Sequence, residues 1–191
     1  LSGVPESGFA WRRDALDNLL EVIERGNARS WRFLDTVGAI DGALPEVGRA
    51  LRLRREDTFN VDLLQAYRLP GVERLRRLDA GDPLAVEASR LLHPDRLLLA
   101  LFLADTLEDD PHPAEAAASL VARLGIGAEA EEEVVALVAD RRLLWGAALR
   151  AGAYAEESVV QLASHLDTPE RARALYVLSA LRSDDRATWE L

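Results

Sequence analysis

The hydrophobic positions along this chain repeat with the period of an amphipathic α-helix. In the first such run four apolar residues are spaced i, i+3, i+4 and i+7, and these are Leu16, Leu19, Leu20 and Ile23. That spacing places them on one helix face. No segment alternates polar and apolar residues as a half-buried strand does, and no Asn-Gly hairpin signal occurs. The pattern therefore predicts an all-α fold.

Proline residues mark where several helices begin. Asp82-Pro83 and Thr168-Pro169 each combine a capping side chain with proline at the first helical position, and His93-Pro94 and His112-Pro113 are weaker forms of this signal. Pro70 should break the run that surrounds it. We predict a bundle of about ten short helices, over the segments Phe9–Arg25, Ala28–Ile40, Pro45–Leu53, Val61–Leu69, Gly71–Leu78, Pro83–Leu91, Pro94–Thr106, Pro113–Leu124, Ala128–Ala139, Leu143–Arg150, Glu156–His165 and Pro169–Leu181.

Composition narrows the functional classes. The chain has no cysteine, which excludes disulfides and thiolate chemistry and fits a cytoplasmic location. No apolar run is long enough to cross a membrane, and the first residues lack the basic and apolar regions of a signal peptide. The net charge of −10 repels a phosphate backbone. We therefore expect a cytoplasmic protein that binds neither membranes nor nucleic acid.

Six phrases follow one another in a fixed order, and they are Leu44–Ala50, Glu56–Tyr67, Leu97–Leu107, His112, Ala139–Trp145 and Asp167–Arg182. In this order they resemble the HD region of the bifunctional PII uridylyltransferase/uridylyl-removing enzyme family of bacterial nitrogen control. The last phrase, DTPERARALYVLSALR, is the most specific and stands where the family reads DPERLRLLYVLTVAD. The third phrase, LLLALFLADTL, stands where the family reads LLLAALFHDIGKG.

The resemblance implies an HD-type helical fold and a metal-dependent hydrolysis that removes a nucleotidyl group from a PII signal protein. Such chemistry needs His and Asp ligands for a divalent ion. Of the matching positions in this chain only the histidine keeps its ligand type, and the full set is Asn60, Tyr67, Leu103, Ala104, His112, Arg141, Arg142 and Arg182. One imidazole cannot hold a catalytic metal, and guanidinium does not coordinate metals. We therefore expect a degenerate HD-like domain with no catalytic residue, metal or cofactor.

The expected function is that of a scaffold or regulatory module within a PII-modifying nitrogen-signalling protein. Its partners would be a PII-like signal protein or neighbouring domains of a parent chain. By the resemblance, that parent would carry a nucleotidyltransferase domain before this region and ACT domains after it. The first residue is not Met, and we expect a piece of a longer protein. Within it we expect a helical preamble (1–43), the degenerate HD-like domain (44–182) and a C-terminal tail (183–191).

Two alternative functions stay open. In the first, Arg141, Arg142 and Arg182 bind an anion or a nucleotide in a pseudoenzyme, because the planar guanidinium binds phosphate through two hydrogen bonds. The competing interpretation is that these arginines only neutralise nearby carboxylates, for which the candidates are Asp105, Asp109 and Asp140. In the second alternative a metal site is rebuilt and keeps phosphohydrolase activity, and its candidate ligands are Asp105, Asp109, Asp110 and His112.

Overall fold

A computed structural model describes residues 11–56, 62–148 and 156–183 of the chain. It confirms the predicted all-α helical bundle, since the described residues form helices and no strand. The helices are α1 (Arg13–Arg25), α2 (Ala28–Thr36), α3 (Ala39–Ala43), α4 (Pro45–Glu56), α5 (Pro70–Arg76), α6 (Pro83–Ser89), α7 (Pro94–Thr106), α8 (Pro113–Leu124), α9 (Ala128–Ala139), α10 (Leu143–Ala148), α11 (Glu156–Leu166) and α12 (Pro169–Arg182). Within the described ranges, none of them has the length and apolar character that crossing a membrane requires.

The predicted helix starts are found where proline supplies the first helical residue. The Asp82 side chain accepts a hydrogen bond from the Leu84 N–H at the start of α6, and the Thr168 hydroxyl accepts one from the Arg171 N–H at the start of α12. Each bond satisfies a backbone donor that has no partner inside the helix. At α7 and α8 the proline is present, but the preceding histidine makes no capping bond with a described residue.

Two predicted helices were wrong in their extent. The segment predicted as one helix over Ala28–Ile40 is divided into α2 and α3 at Gly38, whose φ of 76° lies in the left-handed region that favours glycine. The helix predicted over Val61–Leu69 is reduced to a single 3₁₀ turn at Gln65–Tyr67 in its described part, and Leu69, which precedes Pro70, has a non-helical ψ of 80°. Val61 itself lies outside the described residues.

The centre of the bundle is α7. From Leu99 to Leu107 every residue of this segment is buried. A helix that is apolar on all sides must be covered on all sides, and α7 packs against α1, α4, α5, α9 and α12. Phe102 stacks on Trp31 with ring centroids 5.0 Å apart, which joins α2 to the same core. The last turn of α7, where its polar residues begin, is therefore enclosed by neighbouring helices.

A buried carboxylate joins α4 to α8. Glu46 accepts hydrogen bonds from the Ser119 hydroxyl at 2.9 Å and from Arg123 Nη1 at 2.5 Å. Burial alone would raise the pKa of Glu46, but the hydrogen bonds from Arg123 and Ser119 outweigh it and leave the pKa below its ordinary value. The pair therefore stabilises the folded state as long as Glu46 is ionised.

Candidate functional site

Asp105, in the last turn of α7, is the most deeply buried acidic residue of the described chain, with 3% of its surface exposed. Its Oδ2 accepts hydrogen bonds from the Gly71 N–H at 2.8 Å and the Val72 N–H at 3.1 Å, and its Oδ1 accepts one from Arg182 Nε at 3.2 Å. Burial raises the pKa of Asp105, and these donors oppose the rise without cancelling it. One side chain thus connects α5, α7 and α12.

This contact requires glycine at position 71. A Cβ atom there would lie 2.6 Å from Leu101 Cδ1, 3.0 Å from Asp105 Oδ1 and 3.1 Å from Arg182 Cγ. Leu101 is fully buried, so it has little room to move aside. The absence of a side chain at Gly71 is what lets the first turn of α5 approach the carboxylate.

Glu108 brings together the three arginines that the sequence singled out. It accepts hydrogen bonds from Arg142 Nη2 and Arg182 Nη2, and its Oε2 lies 3.7 Å from Arg141 Nε. Burial alone would raise the pKa of Glu108, but the hydrogen bonds and charges of Arg142 and Arg182 outweigh it and lower the pKa. The loop after α7, the loop between α9 and α10 and the end of α12 therefore meet at one carboxylate.

The expected carboxylate partners are only partly those observed. Arg182 does contact Asp105. Asp109 is instead 3.7 Å from Arg54 Nε, and Asp140 accepts a hydrogen bond from Arg171 at 2.5 Å and lies 3.1 Å from His165 Nε2. Sequence reasoning missed Glu108, the shared partner. The only local signal for it is that it is the first charged residue beyond the end of α7.

The other positions implied by the family resemblance are not gathered at this cluster. Leu103 and Ala104 are fully buried in the core. Tyr67 donates its hydroxyl hydrogen to Asp35 at 2.6 Å, and His112 is exposed at the start of α8. Asn60 lies outside the described residues. Within the described ranges, no three His, Cys, Asp or Glu side chains are arranged to hold a metal ion, and this includes the four candidates for a rebuilt site.

A cleft of about 540 Å³ opens beside Glu108. We call it the arginine cleft, and it is lined by Glu108, Arg141, Arg142, Trp145, Ser179, Arg182 and Ser183. A second cleft, of about 650 Å³, is lined by residues that include Arg54, Asp105 and Asp109. Glu108 and Arg182 line both clefts, so their ion pair belongs to a wall that the two share.

Two polar groups of the arginine cleft are buried without a hydrogen-bond partner among the described residues, namely the Ser179 hydroxyl and Arg141 Nε. Arg141 Nη1 donates to the Val138 carbonyl oxygen at 3.2 Å. Burial lowers the pKa of Arg141, and Glu108 raises it without cancelling the fall. The guanidinium still carries its charge at neutral pH.

No protein-family model, curated protein or solved structure matches this chain. The class of protein that the described residues define is an all-α helical bundle with a carboxylate–arginine cluster at the end of its central helix. The resemblance to the PII uridylyltransferase/uridylyl-removing family stays a prediction.

Proposed function

We propose that this chain is a non-catalytic, HD-like helical module that serves as a scaffold or regulatory part of a PII-modifying nitrogen-signalling protein. The observation that carries the proposal is the cluster at the end of α7. There two carboxylates, Asp105 and Glu108, hold the guanidinium group of Arg182. Arg182, like its neighbours Arg141 and Arg142 at Glu108, stands at a position where the resemblance implies a metal ligand in active relatives.

The charges at this cluster explain why it favours a structural role. A carboxylate that already binds guanidinium would have to release it before it could bind a divalent cation. Arg182 is also largely buried, so its release would leave a cation without a partner in the protein interior, which is costly. Hydrolysis of a phosphodiester on a metal therefore does not fit these residues.

An exposed apolar pair at the end of α2 supports a role in partner binding. Phe33 of α2 and Val37, which directly follows the helix, are 64% and 56% exposed and lie one helical turn apart. Aromatic side chains such as Phe33 are enriched at the centres of protein–protein contacts. We propose that Phe33 and Val37 contact the PII protein or a neighbouring domain.

The proposal is tested with the purified protein in two assays. The first measures hydrolysis of a simple phosphodiester, bis(4-nitrophenyl) phosphate, with added Mn²⁺ or Mg²⁺. The second measures binding to purified, unmodified PII signal protein by biolayer interferometry, for the natural chain and for Phe33→Asp. Leu92→Asp is the matched control, because Leu92 is also apolar and exposed but lies between α6 and α7.

We expect no metal-dependent hydrolysis above the blank, and PII binding that Phe33→Asp weakens at least tenfold while Leu92→Asp leaves it unchanged. Metal-dependent turnover would contradict the non-catalytic assignment. Absence of PII binding would remove the PII protein as the partner, and equal effects of the two variants would remove α2 as the contact surface.

A further inference from the structure

The arginine cleft holds more positive than negative charge. Three guanidinium groups meet there, whereas only Asp105 and Glu108 form ion pairs with them among the described residues. Arg182 contacts both carboxylates, so Arg141 and Arg142 depend on Glu108. This local excess of positive charge stands out in a chain whose net charge is −10.

Arg141 is the least compensated of the three. Its side chain is only 10% exposed, yet its Nε has no hydrogen-bond partner among the described residues and lies 3.7 Å from the Glu108 carboxylate. Buried charged donors are normally satisfied. Arg141 is therefore a charged residue on the wall of the cleft whose hydrogen-bonding capacity is not fully used, which favours an anionic partner.

Ser179 independently indicates a ligand. It lies three residues before Arg182 on α12, lines the same cleft and is 4% exposed. Its hydroxyl oxygen is buried and, within the described part of the chain, makes no hydrogen bond. A hydroxyl can donate one hydrogen bond to a phosphate oxygen. Ser179 is thus a second residue with an unused donor on the wall of the arginine cleft.

We propose that the arginine cleft binds the phosphate group of a small phosphomonoester, through the guanidinium groups of Arg141 and Arg142 and the hydroxyl of Ser179. A cleft of about 540 Å³ is within the range that holds small organic ligands. Trp145 lines the same cleft, and its indole ring offers an apolar surface to the group that carries the phosphate. This site goes beyond the proposed scaffold function and gives it a small-molecule ligand.

Glu108 acts in this site as an internal counter-ion. Its carboxylate neutralises part of the positive charge that would otherwise attract the phosphate, so the two anions compete for Arg141 and Arg142. About a third of the Glu108 side chain is exposed, and when it turns toward solvent to admit a phosphate, Arg182 keeps its ion pair with Asp105. Removal of its charge should therefore strengthen phosphate binding, whereas loss of a true ligand-binding residue should weaken it.

The test is isothermal titration calorimetry of the purified chain with AMP as the phosphomonoester and adenosine as the same molecule without phosphate. The buffer contains no other multivalent anion, because these would compete. The variants are Arg141→Gln, Ser179→Ala and Glu108→Gln, each checked for folding by circular dichroism. Glu133→Gln is the matched control for Glu108→Gln, because Glu133 is also a partly exposed partner of a buried arginine, Arg96, and its loss changes the net charge equally.

We expect AMP to bind and adenosine not to bind. Arg141→Gln and Ser179→Ala should each weaken AMP binding at least fivefold, Glu108→Gln should tighten it by about tenfold, and Glu133→Gln should leave it unchanged. Equal binding of adenosine, no binding of AMP, or equal tightening by both glutamate variants would overturn the proposal. The PII-binding assay contains no AMP, so a negative result in one assay leaves the proposal tested by the other unaffected.

Discussion

Replacement of Asp105 by alanine should destabilise the fold more than any other single polar substitution in the described chain. The change leaves two backbone N–H donors, those of Gly71 and Val72, buried without an acceptor and removes one of the two partners of Arg182. Each buried donor left unsatisfied costs about 1–3 kcal/mol, and breaking a buried ion pair costs about 3–5 kcal/mol. Because these contributions overlap, we expect a loss of about 4 kcal/mol in the free energy of unfolding.

The measurement is urea denaturation followed by circular dichroism, in which this loss moves the midpoint by about 2 M. Asp105→Asn separates the contributions. Its carbonyl oxygen can still accept from the backbone N–H groups, and it avoids the desolvation cost that raises the pKa of Asp105, although its amide group faces Arg182. We expect this variant to lose only about 1–2 kcal/mol.

Asp41→Ala is the control, because Asp41 also pairs with an arginine, at 2.5 Å from Arg52, but both side chains are about half exposed. Such a pair contributes about 0–1 kcal/mol. If Asp105→Ala lost no more free energy than Asp41→Ala, the conclusion that Asp105 holds α5, α7 and α12 together would be refuted.

Further predictions concern acid stability and packing. The free energy of unfolding should fall as the pH drops below 4.5, because the pKa values of Glu46 and Glu108 lie below that ordinary value in the folded protein and both must be protonated in acid. Urea titrations between pH 7 and pH 3 measure this fall. The fall should be shallower in Glu46→Gln. Gly71→Ala should cost about 1–3 kcal/mol through overpacking, and an unchanged thermal melting temperature would contradict the close approach at α5. Phe102→Ala should cost about 3–5 kcal/mol and reduce the near-ultraviolet circular dichroism of Trp31, and a native-like spectrum would argue against the stacked pair.

The helix starts were predictable because their signals are local. Pro94, Pro113 and Pro169 each stand at the first position of the helix that was predicted for them. The run at 97–104 consists of apolar residues only, which is the pattern of a buried helix. By contrast, the apolar spacing over Val61–Leu69 predicted a helix where the described part is mostly turn. Apolar spacing is a local signal and does not report tertiary contacts such as the Tyr67–Asp35 hydrogen bond.

Only the arginines of the site were predicted from the sequence. The arginines at 141, 142 and 182 were singled out through the family resemblance, and they do converge. Their common partner Glu108 was missed because it is 34 residues from Arg142 and 74 from Arg182 in sequence, and no periodicity spans such separations. Ser179 was missed because a serine on a mostly buried helix gives no sequence signal that its hydroxyl is left without a partner.

The complete burial of α7 from Leu99 onward has a consequence for the synthesis of the protein. The ribosome releases α7 well before α9 and α12, which cover two of its sides. At typical rates of synthesis this interval lasts seconds. During this interval the most apolar segment of the nascent chain lacks two of the helices that later bury it, and we expect chaperones to bind there.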